Sequence, residues 1–142
     1  MEENSNLFFK EKIITNYEMK LIIPSINLEK NIYKLDSGLN NVDYNIEILE
    51  KSDIDKKLFY LAGHSGRGDN CFFNRVRELK IGDYVYIIND DNMLVYAIND
   101  SYYIVKNGYM EVNCYEEGLL YLITCDIYNS NRQLIVKGVL IN

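Results

Sequence analysis

Three residues of this 142-residue chain have side chains that could act together in nucleophilic chemistry. His64 is the only histidine, so any Cys–His reaction must use it. Cys125 ends a long apolar segment, and Arg132 follows it by seven residues. A thiolate is a strong nucleophile, an imidazole transfers protons near neutral pH, and a guanidinium donates several hydrogen bonds to a developing anion. These residue types are those of a thiol-dependent acyl-transfer site.

Two extended segments would have to position these side chains. Successive side chains of a strand alternate between faces, so each segment presents one set of residues to the same side. The sets are Leu58, Tyr60, Ala62 and His64 in the first segment, and Tyr121, Ile123 and Cys125 in the second. If the two strands are parallel neighbours, His64 and Cys125 meet where both strands end. Ala62 and Ile123 would then form the floor of an apolar groove. A final strand that pairs antiparallel would bring Arg132 to the other side of Cys125.

Each of these residues also has a purely structural interpretation. A cysteine in an apolar strand is most often a small buried hydrophobe. His64, with a glycine before it and another soon after, would be an ordinary surface residue, and Arg132 in a polar loop would be a solvated charge. Residue types and spacing alone leave these alternatives open.

Composition limits the class of protein. Hydrophobic residues make up 48% of the chain and charged residues 25%, which is typical of one folded globular domain. The net charge of −6 makes nucleic acid an unfavourable partner. The three cysteines, Cys71, Cys114 and Cys125, form no C-x-x-C pair, and with a single histidine they make no zinc site. A bridge between Cys71 and Cys114 is left open.

The sequence predicts mostly β-structure, because many short segments rich in Tyr, Val and Ile lie between turns that contain Asn, Asp and Gly. Strands are predicted at 21–23, 26–28, 58–63, 84–88, 93–98, 102–105, 119–125 and 134–141. Apolar spacing predicts short helices at 4–15 and 72–79. Seven or eight short strands with such connections indicate a closed β-barrel or a sandwich.

Three motifs together resemble the signatures of the sortase family, the cysteine transpeptidases of Gram-positive cell surfaces. They are Leu61-Ala62-Gly63-His64, Leu122-Ile123-Thr124-Cys125-Asp126 and Arg132. The similarity extends to Leu21-Ile22-Ile23-Pro24, to Phe72-Phe73 with Gly82-Asp83, and to Tyr128-Asn129. It covers about residues 19–141.

The resemblance implies a closed eight-stranded barrel with short helices on the crossovers. We expect this barrel to span residues 19–142, after an N-terminal extension or short helix at 1–18. The resemblance also implies that His64, Cys125 and Arg132 are catalytic, and that Ala62, Ile123 and Thr124 line the substrate groove.

The implied reaction cleaves an LPxTG-like sorting signal between Thr and Gly through a thioacyl intermediate on Cys125. The acyl group then passes to a cell-wall amine, that of a peptidoglycan precursor, at the outer surface of a Gram-positive cell.

The only proline, Pro24, excludes the Asp-Pro lid of pilus-type relatives, which favours class A or D. No apolar run here reaches the ~20 residues of a membrane span, so we expect a soluble chain from which an anchor has been removed.

Two other classes of function remain as alternatives. One is a different Cys–His peptidase, and the other is a non-catalytic β-barrel that binds peptides or is displayed at the surface. No cofactor is expected. Calcium held by Glu111, Glu116 and Glu117 is a weaker prediction than an ordinary solvated acidic surface.

Overall fold

A computed structural model describes residues 17–90, 92–106 and 116–142, and these residues form one β-sheet of eight strands. The strands are β1 (Tyr17–Ile23), β2 (Leu28–Tyr33), β3 (Glu47–Ile48), β4 (Phe59–Ala62), β5 (Tyr84–Asn89), β6 (Asn92–Val105), β7 (Leu119–Cys125) and β8 (Arg132–Leu140). The helix predicted at 4–15, Cys114 and Glu111 lie outside the described residues. The first strand begins at Tyr17, two residues before the predicted start of the barrel.

The strand order is β2-β1-β5-β6-β8-β7-β4-β3, and the sheet curls into a nearly closed barrel. All neighbours pair antiparallel except β4 and β7, which are parallel. The two edge strands, β2 and β3, approach each other, but no ladder joins them in the part of the chain that is described. The predicted all-β barrel with eight strands is therefore confirmed, although it is not fully sealed.

Side-chain alternation divides the apolar residues between two clusters. The barrel interior is filled by one large cluster, which includes Leu120 and Leu122 of β7 and Leu134 and Val136 of β8. The alternate residues of these two strands pack on the outer face together with residues in and just before β4. This second cluster is formed by Leu58, Tyr60, Tyr121, Ile123 and Ile135. The outer cluster supports the end of the sheet where His64 and Cys125 lie.

Several local predictions differ from the structure. The strand predicted at 26–28 is not formed, because Ile26 lies in the 3-10 turn Pro24–Ile26, Asn27 adopts a left-handed conformation, and β2 begins only at Leu28. The segments 93–98 and 102–105 form one strand, because β6 passes Asp100 with a register shift and keeps its pairing with β8. The helix at 72–79 is reduced to a 3-10 turn, Val76–Glu78, because the buried Phe73 donates its backbone N–H to the His64 carbonyl at 2.9 Å. The short strand β3 had no sequence signal.

The other short helix is the 3-10 turn Pro24–Ile26 between β1 and β2. Within residues 17–90, 92–106 and 116–142, no helix has the length and apolar character that crossing a bilayer requires.

Candidate active site

Parallel pairing of β4 with β7 brings His64 and Cys125 to the same edge of the sheet. Ala62 pairs with Ile123, and the Gly63 N–H continues the ladder by donating to the Ile123 carbonyl at 3.1 Å. Both strands run in the same direction, so their carboxyl ends coincide. The two strands are thus parallel neighbours, which is the arrangement that a Cys–His site built from them requires.

A groove of about 390 Å³ lies over this edge of the sheet. Its lining includes His64 and Cys125 together with apolar side chains of β4, β7 and β8. Ala62, Ile123 and Thr124, the predicted substrate-binding residues, all line it. The groove therefore offers an apolar floor with a thiol and an imidazole at one end.

His64 has an acidic partner that the sequence did not indicate. Its Nε2 lies 3.0 Å from Oδ1 of Asp43, which belongs to the loop between β2 and β3. The carbonyl of Asp43 in turn accepts a hydrogen bond from Asn70 Nδ2 at 2.9 Å. Both members of the pair are substantially exposed, so we assign the contact a role in orienting the imidazole rather than in stability. No local pattern could reveal Asp43, because it lies 21 residues before His64.

Gly63 is the residue that lets the His64 backbone approach the core. A Cβ built at Gly63 would lie 2.7 Å from Cγ of Phe73, whose side chain is fully buried. The ring cannot move away without disturbing the barrel interior. Only glycine, which has no Cβ, fits at this position without a steric clash.

We expect Gly63→Ala to lower the free energy of unfolding by about 1–3 kcal/mol, the usual cost of overpacking. It should also reduce any activity that depends on His64, because the neighbouring backbone must shift. Thermal unfolding and a turnover assay measure the two effects. Gly38→Ala is the matched control, since a Cβ there meets nothing within 4 Å. Equal melting temperatures for the two variants would contradict the prediction.

Cys125 is a half-buried free thiol at the end of β7. Its carbonyl accepts a hydrogen bond from the Ser65 hydroxyl at 2.6 Å, which ties the residue after His64 to the cysteine backbone. Cys71 is the other free thiol among the described residues, which do not include Cys114. Of the two thiols in the described residues, only that of Cys125 lines the groove.

Arg132 begins β8, and its guanidinium is held by Asp126. Nε and Nη2 both donate to Asp126 Oδ2, Nε at 2.9 Å, and the guanidinium carbon lies 4.2 Å from the centre of the Tyr103 ring. The residue paired directly with Cys125 is Gln133, one position further along the strand. Gln133 lines the groove, and Arg132 is not among the lining residues. The structure thus brings His64 and Cys125 to one groove but directs the Arg132 side chain elsewhere.

Asp126 has a lowered pKa for two physical reasons. The Tyr128 backbone N–H donates to its Oδ1 at 3.0 Å and contributes most, and the hydrogen bonds from Arg132 lower the pKa further. The side chain of Asp126 is only 3% exposed. The ionised carboxylate therefore fixes the turn between β7 and β8.

This lowered pKa predicts a pH-dependent contribution to stability. A carboxyl whose pKa is lower in the folded state contributes fully above its unfolded pKa of about 3.9, and loses that contribution as the pH falls through the folded value. Wild type should be more stable than Asp126→Asn at neutral pH, and the difference should shrink on acidification. Urea unfolding across pH measures it. The exposed Asp36 provides the control Asp36→Asn, and a pH-independent difference for Asp126→Asn would contradict the expectation.

A pair of tyrosines supports the outer face beyond the groove. Tyr60 and Tyr121 stack with ring centres 4.6 Å apart, and the Tyr121 hydroxyl donates to Glu116 at 3.0 Å. Burial, followed by the hydrogen bond with Glu116, raises the pKa of Tyr121. Glu116 is thus already engaged by a phenol. No cluster of three potential metal ligands occurs in the described ranges, which do not include Glu111.

Comparison with known proteins agrees with this architecture. A family model described as a sortase domain matches residues 21–141. Sortase A of Bacillus anthracis is 24% identical over 123 residues, which cover 86% of this chain and 59% of that protein. Sortase A of Listeria monocytogenes is 22% identical over 106 residues, covering 75% of this chain and 48% of its own length. This chain therefore spans only about half to three-fifths of these relatives.

The fold is also that of solved sortase structures. The crystal structure of Streptococcus pneumoniae sortase C superposes with a TM-score of 0.76 at 20% identity, covering 89% of this chain and 70% of that one. Identity at this level establishes the fold alone. The match of the family model extends over most of the chain, from β1 to the residue after β8. This chain belongs to the sortase family.

Proposed function

We propose that this protein is a cysteine transpeptidase that cleaves a sorting-signal peptide through a thioacyl intermediate on Cys125. The observation that carries the proposal is the convergence of Cys125 and His64 on one groove, at the ends of adjacent parallel strands. Membership of the sortase family supports the same class of reaction.

The proposed reaction has two balanced steps. The Cys125 thiolate attacks the scissile carbonyl carbon, a C–S bond forms and the C–N bond breaks, and the His64 imidazolium gives its proton to the departing amine. An incoming amine then attacks the thioester and gives a proton to His64, which restores the imidazolium. The C–S bond breaks and the Cys125 thiolate returns.

The groove supports an extended, largely apolar signal as the substrate. Ala62 and Ile123 provide an apolar floor next to the thiol, and we assign substrate contacts to them and to Thr124. Similarity to the family extends the proposal to an LPxTG-like motif cut between Thr and Gly, on surface proteins of a Gram-positive cell. The acceptor would be the amine of a peptidoglycan precursor, and the enzyme class would be A or D.

The role predicted for Arg132 is donation of hydrogen bonds to the oxyanion or to the signal backbone. In the structure this guanidinium is bound to Asp126, so the role requires it to leave a carboxylate that is 3% exposed. Its assignment as a catalytic residue therefore stays a prediction.

A peptide-library screen with an added amine tests the proposed function. The protein is incubated with sorting-signal peptides, with and without a glycine oligomer or a diaminopimelate peptide, and the products are identified by mass spectrometry. Transfer to the amine is the expected result. Hydrolysis alone would assign a thiol peptidase instead, and the absence of any cleavage would favour a peptide-binding barrel.

A further inference from the structure

We propose that the carboxamide of Gln133, and not the guanidinium of Arg132, donates the hydrogen bond that stabilises the oxyanion opposite Cys125. The inference rests on the proposed function, because it names a donor for that reaction. It follows from the register of β7 and β8, the engagement of Arg132, and the availability of the Gln133 side chain.

The register of the two strands places Gln133 directly opposite Cys125. Residues that face each other across an antiparallel ladder project to the same side of the sheet. Ile123 and Ile135, the next such pair in register, belong to the outer cluster and line the same groove. Gln133 therefore shares its face of the sheet with the nucleophile.

Arg132 belongs to the opposite set of positions along β8. It alternates with Gln133 and is in phase with Leu134 and Val136, which pack in the barrel interior. Its guanidinium binds Asp126 with two nitrogens and covers the Tyr103 ring. Moving it into the groove would break these contacts and leave a nearly buried carboxylate without its counter-charge.

Gln133 has a carboxamide donor group without a hydrogen-bond partner among the described residues. Its side chain is half-buried, and it makes no hydrogen bond with any residue in the ranges 17–90, 92–106 and 116–142. A carboxamide carries two N–H donors, and Asn and Gln side chains are among the groups that form oxyanion holes. The donor loses no proton in the reaction, since it only shares a hydrogen bond with the carbonyl oxygen as negative charge develops there.

Arg132 then acts as a positioning residue. By holding Asp126, the residue after the nucleophile, it fixes the turn that joins β7 to β8 and so the register of Cys125 with Gln133. Its loss should reduce stability and substrate affinity more than it reduces the rate of the chemical step.

The test compares one replacement at two adjacent positions. Gln133→Met and Arg132→Met each remove the donors and leave an unbranched side chain. Single-turnover acylation by a sorting-signal peptide, found by the library screen, is followed by mass spectrometry of the intact protein. We expect Gln133→Met to lower the acylation rate constant by about 10²–10³, the usual effect of removing one oxyanion donor. KM should change little, and Gln133→Arg should recover most of the rate.

A second measurement separates the donor role from a general disturbance of the site. Alkylation of Cys125 by iodoacetamide forms no oxyanion, so Gln133→Met should be alkylated at nearly the wild-type rate. Arg132→Met should show a lowered melting temperature, a raised KM and a smaller loss in the acylation rate constant. The proposal is overturned if Gln133→Met is acylated at the wild-type rate. It is also overturned if Arg132→Met loses more of the acylation rate constant than Gln133→Met while keeping a normal melting temperature, and the role then returns to Arg132. If the wild-type protein itself forms no acyl-enzyme with any peptide, the proposed function fails.

Discussion

Replacement of Cys125 by alanine is expected to abolish both the thioacyl intermediate and transfer to an amine. The substitution removes only the thiol, which is the group that would form the acyl-enzyme. Because Cys125 is half-buried at a strand end, the barrel should unfold at nearly the wild-type temperature. Mass spectrometry of the intact protein after incubation with a sorting-signal peptide measures the adduct.

Cys71 provides the matched control for this experiment. It is the other free thiol of the described residues, it is also half-buried, and it does not line the groove. Cys71→Ala should form the adduct and transfer the acyl group as the wild-type protein does. An adduct that persists on Cys125→Ala, or one that is lost only from Cys71→Ala, would end the assignment of Cys125 as nucleophile.

Replacement of His64 by alanine is expected to lower turnover of a peptide substrate by about 10²–10⁴, the range for loss of a general acid–base group. Expulsion of an amine requires a proton, and no other histidine exists to supply it. The ring is 36% exposed and contributes to neither apolar cluster, so the melting temperature should change little.

Substrates with different leaving groups test the specific role of His64. A nitrophenyl ester of the same acyl group releases a stable anion and needs no proton. If His64 acts mainly as the acid, His64→Ala should lose much less activity with the ester than with the peptide. Equal losses would instead assign His64 to forming the Cys125 thiolate, and wild-type turnover of the peptide would remove His64 from the mechanism.

The placement of two side chains at one end of the groove could be predicted from the chain alone because it depends on local patterns. Alternation along 58–64 and 119–125 put His64 and Cys125 on the faces of two apolar strands, at the ends where both would meet. Parallel pairing of β4 and β7 confirmed that these ends coincide. The all-β character likewise followed from the frequency of Tyr, Val and Ile between turn residues.

Other features depended on contacts between residues that are distant in sequence. Asp43 reaches His64 from a loop between β2 and β3, and no periodicity relates the two. The continuity of β6 through Asp100 results from its pairing with β8, which outweighs the local turn preference of Asn and Asp. The 3-10 turn at Val76–Glu78 replaced a longer helix because Phe73 is committed to the core.

Which of Arg132 and Gln133 faces Cys125 is a further feature that could not be predicted from the sequence. By itself the sequence predicted that a histidine, a cysteine and an arginine would lie near the ends of three strands. Only the tertiary structure decided which of two adjacent residues faces the thiol, because a shift of one residue in register reverses the face of every side chain in a strand. That register is set by the pairing of β8 with both β7 and β6, and by the hydrogen bonds from Arg132 to Asp126.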